Sequence, residues 1–421
     1  MTAEGVVTIK RGALNAERTV LTINFSNGTS GEYASAWLRD NAQEEHTMDL
    51  GVKYHVRSLE MNDFDPSVPP DAAQVIEDGS RIRLTWPDDV VTEFEAKWLS
   101  DRNLSSEAVK RKRVEYYLKQ ARCYWGPENF QADIVDHSAD WGRFMTDDRY
   151  MRDKLKRFLS YGLMVMKGAP SVEDEILKLR PRVGYFTSGN YGNSAKPPSE
   201  QNFQSWILRM DVGRGYFVYS PKSLGLHTDL IASDPVPEVS ILHFIRQSQE
   251  GGESLFVDGF RVAEQLRREH PKAFELLTTM DVEYDDYGED YDKFRMVVRR
   301  KTILLDKEGE VEGIWFSNHH RSWYYEDAPP EKVNALLNAL KLFNSYAYSP
   351  ENMVTIKMEE GDMAWMDNRR VLHGREAFKP PKDDDASVVR TLQGAFVNYD
   401  VVKSRIRVID EQLGEFDHPT I

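Results

Sequence analysis

From residue 238 onward the chain is a succession of short strand-like runs with little strand–helix–strand alternation between them. In order they are "EVSILHFIRQ", "ESLFVDGF", "KTILLDKEG", "VEGIWFSNHH", "MVTIKMEEGDMAWMDN", "RVLHGREAF" and "VVRTLQGAFVNYD". Alternating βαβ units would build a parallel, doubly wound sheet. Strands that follow one another directly pair antiparallel and close into two packed layers. The pattern therefore predicts a mainly β domain, an antiparallel sandwich or jelly roll, with helices on its flanks. The helices read as "DDRYMRDKLKRFLSYG", "VEDEILKLRPRVG", "GFRVAEQLRREHPKAFELLTTM" and "PPEKVNALLNALKLFNSY".

The first hundred residues carry a second β pattern. "VLTINFSNG", "YHVRSLEM", "SRIRLTWPDD" and "VVTEFEAKWL" are separated by turn signals at Ser26-Asn27-Gly28 and Pro87-Asp88-Asp89. This predicts a small β-rich domain over residues 1–105. "SDRNLSSEAVKRKRVEYYLKQ" then reads as a linker with a helix, within 106–145, before a catalytic domain over 146–421. A length of 421 residues suits one large and one smaller domain.

Charge and cysteine content narrow the class. The formal charge of −15 argues against a nucleic-acid or anionic-membrane partner. The single cysteine, Cys123, permits neither an intrachain disulfide nor a thiolate zinc cage, and it fits a reducing, cytoplasmic setting. "MTAEGVVTIKRGAL" lacks the apolar stretch of a secretory signal, and no apolar run approaches the roughly 20 residues that span a bilayer.

The chemistry starts at "LGLHTDL", residues 224–230. On a strand, His227 and Asp229 share a face because side chains alternate. By itself this is also how an ordinary His–Asp hydrogen bond looks. "MDNRRVLHGREAF", residues 366–378, adds His373. Two imidazoles and one carboxylate are the facial set that holds Fe(II) on one side and leaves three positions open. Arg390, in "VVRTLQGAF", is placed to pair with a carboxylate, and a dicarboxylate chelating iron at one end needs such an anchor at the other. Read alone, Arg390 fits a plain surface or core salt bridge better. In "GGESLFVDGF" the paired glycines mark a tight turn into a strand, and Ser254 offers the same carboxylate a hydroxyl.

"LHTDL", "GGESLFVDGF", "DNRRVLHGREAF" and "RTLQGAFVNYDVVKSRIR", taken together, resemble the γ-butyrobetaine and trimethyllysine dioxygenases, relatives of taurine dioxygenase. The resemblance is densest over residues 224–407, and "ASAWLRDN" (34–41) extends it to the small N-terminal domain. It implies a double-stranded β-helix, Fe(II) on His227, Asp229 and His373, and 2-oxoglutarate as co-substrate held by Arg390 and Ser254. Ascorbate is then the accompanying reductant and a homodimer the expected assembly. The implied reaction is hydroxylation of an unactivated C–H bond with O₂, with succinate and CO₂ released. Animal γ-butyrobetaine dioxygenases follow "WLRDN" with zinc-binding cysteines. Here Ala42 and Glu44 stand in that region and His46 is alone, so no structural zinc is expected.

The same resemblance implies an aromatic cage for a quaternary ammonium group, a cation–π site. Tyr191, Trp206, Tyr219 and Phe396 fall near its positions, although aromatics ahead of a core strand also serve plain packing. Three departures bear on the substrate. "NSAKPPSEQNFQS" is inserted between Tyr191 and Trp206. Phe396 stands where the γ-butyrobetaine enzymes carry a Tyr, and Tyr216 where they carry an Asn. Asn318, in "WFSNHHRSW", matches a substrate-facing region, while His319 and His320 would face opposite ways on a strand. The leading substrate is γ-butyrobetaine. Trimethyllysine, a trimethylammonium phosphonate or another small acid are the alternatives, and a catalytically silent binding protein would need a triad member to be missing.

Overall fold

The computed structural model describes residues 6–45, 47–49, 56–118, 120–189, 204–209, 217–288, 293–325, 328–379 and 390–415. Two compact units divide between residues 119 and 120. No described helix is long and apolar enough to cross a membrane.

The first unit has two three-stranded antiparallel sheets. One joins Ile9–Leu14, Val20–Phe25 and Ser30–Ala34; the other joins Ala72–Ile76, Arg81–Thr85 and Val91–Glu95. Strict alternation drives both: Leu21, Ile23 and Phe25 point inward from one, and Ile82, Leu84 and Phe94 from the other, into a single cluster with Leu38 and Leu99. The helix read from "SSEAVKRKRVEYY" runs over Glu107–Tyr116, with the Ser106 hydroxyl accepting from the Val109 N–H at its start. His46 lies outside the described residues.

The second unit is built on two mixed-length sheets with helices around them. The larger runs in the order Trp206–Arg209, Thr391–Val397, Val239–Arg246, Met363–Asp367, Leu163–Lys167, Ala139–Asp140. All its pairings are antiparallel except the last. The smaller is Leu224–His227, Val371–Arg375, Ser254–Asp258, Val354–Ile356, antiparallel throughout. Val165, Phe244, Ala364 and Leu392 of the larger sheet share one apolar cluster with Phe256, Val354 and Val371 of the smaller. Strands 254–258, 363–367, 371–375 and 391–397 are buried on both faces, so their sequences show no alternation.

Two runs that read as single elements are each two. "MVTIKMEEGDMAWMDN" supplies Val354–Ile356 to the smaller sheet and Met363–Asp367 to the larger. The chain changes sheets at Gly361, whose φ is 89° and where a Cβ would stand 2.4 Å from the Ala169 carbonyl. "GFRVAEQLRREHPKAFELLTTM" forms two helices, Gly259–Glu269 and Pro271–Thr279. Pro271 brings no N–H and turns His270 out of the helical region (φ −136°). The antiparallel hairpin Asp281–Gly288/Phe294–Lys301 is not legible in the sequence, because both strands are rich in charge and the inward face of the second is only half-buried, although Val282 and Tyr284 of the first are enclosed.

Candidate metal centre and its cavity

His227 is the last residue of its strand and pairs in register with His373 on the neighbouring one. The two rings lie 4.4 Å apart between centroids. Asp229 stands beyond the strand end, so alternation alone does not place it. Thr228 N donates to the Phe316 carbonyl (2.8 Å) and Asp229 N to Asn368 Oδ1 (2.8 Å). Asn368 Nδ2 returns to the Asp229 and Pro237 carbonyls at 3.0 and 2.9 Å. A buried side chain thus grips the Asp229 backbone from both sides.

The result is a tight donor set. Asp229 Oδ1 is 3.4 Å from His227 Nε2 and 3.3 Å from His373 Nε2, and one ligand atom from each residue lies within 4.8 Å of the others. Two donors at about 2.1 Å on neighbouring octahedral corners stand about 3 Å apart, so the spacing suits a first-row divalent ion. The tautomer of His227 suits it also. Its Nδ1 is 2.9 Å from the Gly225 carbonyl, which can only accept, so Nδ1 carries the hydrogen and Nε2 keeps its lone pair. Asp229 Oδ2 accepts from the Ser240 hydroxyl at 2.8 Å, leaving Oδ1 to the centre. His373 Nδ1 is buried without a protein partner among the described residues. Burial opposes the charge on Asp229, but a positive charge shared with the two Nε2 atoms, on a proton or a metal ion, outweighs it and holds the carboxyl well below its ordinary pKa.

The triad opens on a cavity of about 210 Å³ between the two sheets. The larger sheet contributes Trp206, Leu242, Phe244, Leu392 and Phe396; the smaller adds Ser254, Phe256 and Arg375 to the histidines. Trp206 and Phe396 rings are 5.8 Å apart, and Gly394, opposite Trp206 in the ladder, admits the indole: a Cβ there would lie 2.2 Å from it. Tyr219 is buried in the same wall. Arg390 is 9% exposed and has no carboxylate partner among the described residues; its Nε donates to Gln247 Oε1 at 3.1 Å. Burial first, then repulsion from Arg375, pushes its pKa down to about 9.

Of the residues singled out in the sequence, the cavity brings together His227, Asp229, His373, Arg390, Ser254, Trp206, Tyr219 and Phe396. Tyr191 and Tyr216 lie outside the described residues. Asn318 does not line the cavity: it is exposed, and its side chain donates to Asn344 Oδ1 at 3.3 Å. His319 and His320 both line it, with Asp286, because the segment bends instead of continuing as a strand. Sequence reading missed Ser240, Asn368 and Arg375. Only Arg375 had a signal, the His373-x-Arg375 spacing that puts both on one strand face.

An iron-type facial triad opening on a cavity that holds a buried guanidinium with no carboxylate partner among the described residues is the arrangement of the 2-oxoglutarate-dependent dioxygenases. The chain belongs to the taurine catabolism dioxygenase TauD, TfdA family, whose model matches residues 124–395. It is 30% identical over 381 residues to the γ-butyrobetaine dioxygenase of Homo sapiens, covering 90% of this chain and 92% of that protein. It is 28% identical over 378 residues to the mitochondrial trimethyllysine dioxygenase of Gallus gallus, covering 89% and 83%. Among solved structures, an asparagine oxygenase complexed with Fe(II), 3-hydroxyasparagine and succinate aligns with a TM-score of 0.45 and 16% identity, over 69% of this chain and 90% of that one. Membership of that family, with this triad, makes the protein an Fe(II)- and 2-oxoglutarate-dependent dioxygenase.

Proposed function

We propose that this enzyme hydroxylates an unactivated C–H bond of a small trimethylammonium acid, with γ-butyrobetaine as the leading substrate. The observation that carries the reading is the aromatic wall of Trp206, Tyr219 and Phe396 in the same cavity as the triad. A quaternary ammonium group has no hydrogen to donate, so π faces are its natural partners.

His227, Asp229 and His373 hold Fe(II) in this reading. Arg390 and Ser254 take the distal carboxylate of 2-oxoglutarate. When bound, iron, 2-oxoglutarate and O₂ supply oxidative decarboxylation and the oxygen atom that is inserted. The chain's own side chains do the rest. Gly225 and Ser240 fix the orientation of His227 and Asp229. The aromatic wall aims one carbon of the substrate at the centre, and the apolar sheet residues keep water from it. In this reading the two facing sheets belong to a double-stranded β-helix catalytic domain over 146–421, after a β-rich domain over 1–105 and a linker. A homodimer in a reducing compartment, with ascorbate as reductant, completes the proposal.

One observation favours a second substrate, a trimethylammonium phosphonate. His319 and His320 both reach the cavity, and imidazoles are well suited to donate to a phosphonate's oxygens. The test is 2-oxoglutarate turnover stimulated by γ-butyrobetaine, trimethyllysine and 2-(trimethylammonio)ethylphosphonate, with products identified by mass. Stimulation by γ-butyrobetaine above the others supports the leading reading. Stimulation by none of them, with turnover on an acid lacking the trimethylammonium group, refutes it.

A further inference from the structure

Arg375 has no part in the roles assigned so far, yet it lines the cavity and is 6% exposed. It follows His373 by two residues on the same strand and stands opposite Ser254 in the ladder. Its guanidinium carbon lies 4.7 Å from the Phe378 ring centroid, and that of Arg390 lies 5.8 Å from the same centroid. Two buried cations therefore crowd one ring, and among the described residues neither has a carboxylate partner. Both guanidinium groups stay protonated at neutral pH, so among the described residues the pair is uncompensated charge in a low-dielectric site. Two cations set beside one hydroxyl call for an anion with two acceptor oxygens. One face of Arg375 is already used: its Nη2 donates to the carbonyls of Ser220 and Lys222, at 2.9 and 2.8 Å. Those carbonyls directly follow the turn Phe217–Tyr219.

We propose that Arg375 is a second guanidinium for the distal carboxylate of 2-oxoglutarate, and that its bonds to Ser220 and Lys222 couple co-substrate binding to the turn carrying Tyr219. The inference rests on the assignment of Arg390 to the co-substrate and is independent of which substrate is hydroxylated. Filling the site relieves the repulsion between the two cations and locks the Arg375 side chain. The Tyr219 turn is then held from one side, so the aromatic wall is set once the co-substrate is in place.

The test uses the full chain loaded anaerobically with Mn(II), so that binding is read without turnover. Arg375→Gln is titrated calorimetrically with 2-oxoglutarate and with 2-oxopentanoate, which lacks the distal carboxylate. The expected result is 2-oxoglutarate bound at least about tenfold more weakly, the loss of one charge-assisted contact, with 2-oxopentanoate affinity unchanged. Arg375→Lys keeps a cation without the fork; an intermediate loss is expected, and it serves if the Gln variant does not fold. Hydrogen exchange reads the coupling: 2-oxoglutarate should slow exchange over residues 218–224 in the parent protein and not in Arg375→Gln. Equal weakening for both oxo acids, or for neither, overturns the contact; slowing that persists in the variant overturns the coupling. A parent protein that does not bind 2-oxoglutarate overturns the inference together with its premise.

Discussion

Ser240→Ala removes a hydroxyl from a side chain with no solvent exposure, on a strand of the larger sheet. That hydroxyl is 2.8 Å from Asp229 Oδ2. Losing a hydrogen bond to a charged group costs about 1.5–3 kcal/mol, and outer contacts of this kind commonly change metal affinity about 10- to 100-fold. The direction follows from geometry. Without Ser240 the carboxylate is free to rotate about its last bond, and Oδ1 no longer stays 3.4 and 3.3 Å from the two Nε2 atoms. Anaerobic titration with Mn(II), followed by calorimetry, should give a dissociation constant raised by about ten- to a hundredfold. The backbone grip of Asn368 remains, so the protein should still fold and its denaturant midpoint should move little. A metal affinity within about twofold of the parent, whatever the change in stability, would refute the claim that Ser240 orients the ligand.

Three further outcomes follow from the structure. Arg370 pairs with Asp258 through Nε and Nη2 at 2.9 and 2.7 Å in a fully enclosed site, so Arg370→Met should cost about 3–5 kcal/mol in urea unfolding by stranding a buried carboxylate. His243 is enclosed and burial pushes its pKa down to about 4. The unfolded chain takes up that proton below about pH 6.5 and the native state does not, so stability should fall between pH 6.5 and 4 by up to about 3 kcal/mol. His243→Leu should flatten that part of the pH–stability curve, and an unchanged slope would count against the assignment. Gly394→Ala should push the Trp206 ring aside, raising the KM for a trimethylammonium substrate while leaving 2-oxoglutarate affinity within about twofold, since Arg390 and Ser254 are untouched.

Much of the site was readable in the chain because the residue types are restrictive. A histidine, an aspartate, a serine, a second histidine and an arginine in that order leave few chemistries open, and the motifs around them point to one family. The aromatic wall was readable only as a set of candidates. Packing decides which aromatics converge, and it brings Trp206 against Phe396 through the missing side chain of Gly394. Asn318 and His319 are adjacent and both exposed, yet a bend in the backbone leaves only the second along the cavity.

The linear order of short strands and turn residues points, without any structure, to sheets with flanking helices, although helix and strand are about equal in extent, and the motifs with their family resemblance point to an iron-type triad. Local periodicity and ligand chemistry are properties of neighbouring residues, so they survive in the sequence. What only the tertiary structure decided are the partners that come from far along the chain. Asn368 grips Asp229 across 139 positions, and Arg375 reaches Ser220 across 155. A serine, an asparagine and a second arginine are unremarkable until two sheets close around them, because burial is what makes one hydroxyl orient a ligand and one enclosed cation favour an anion.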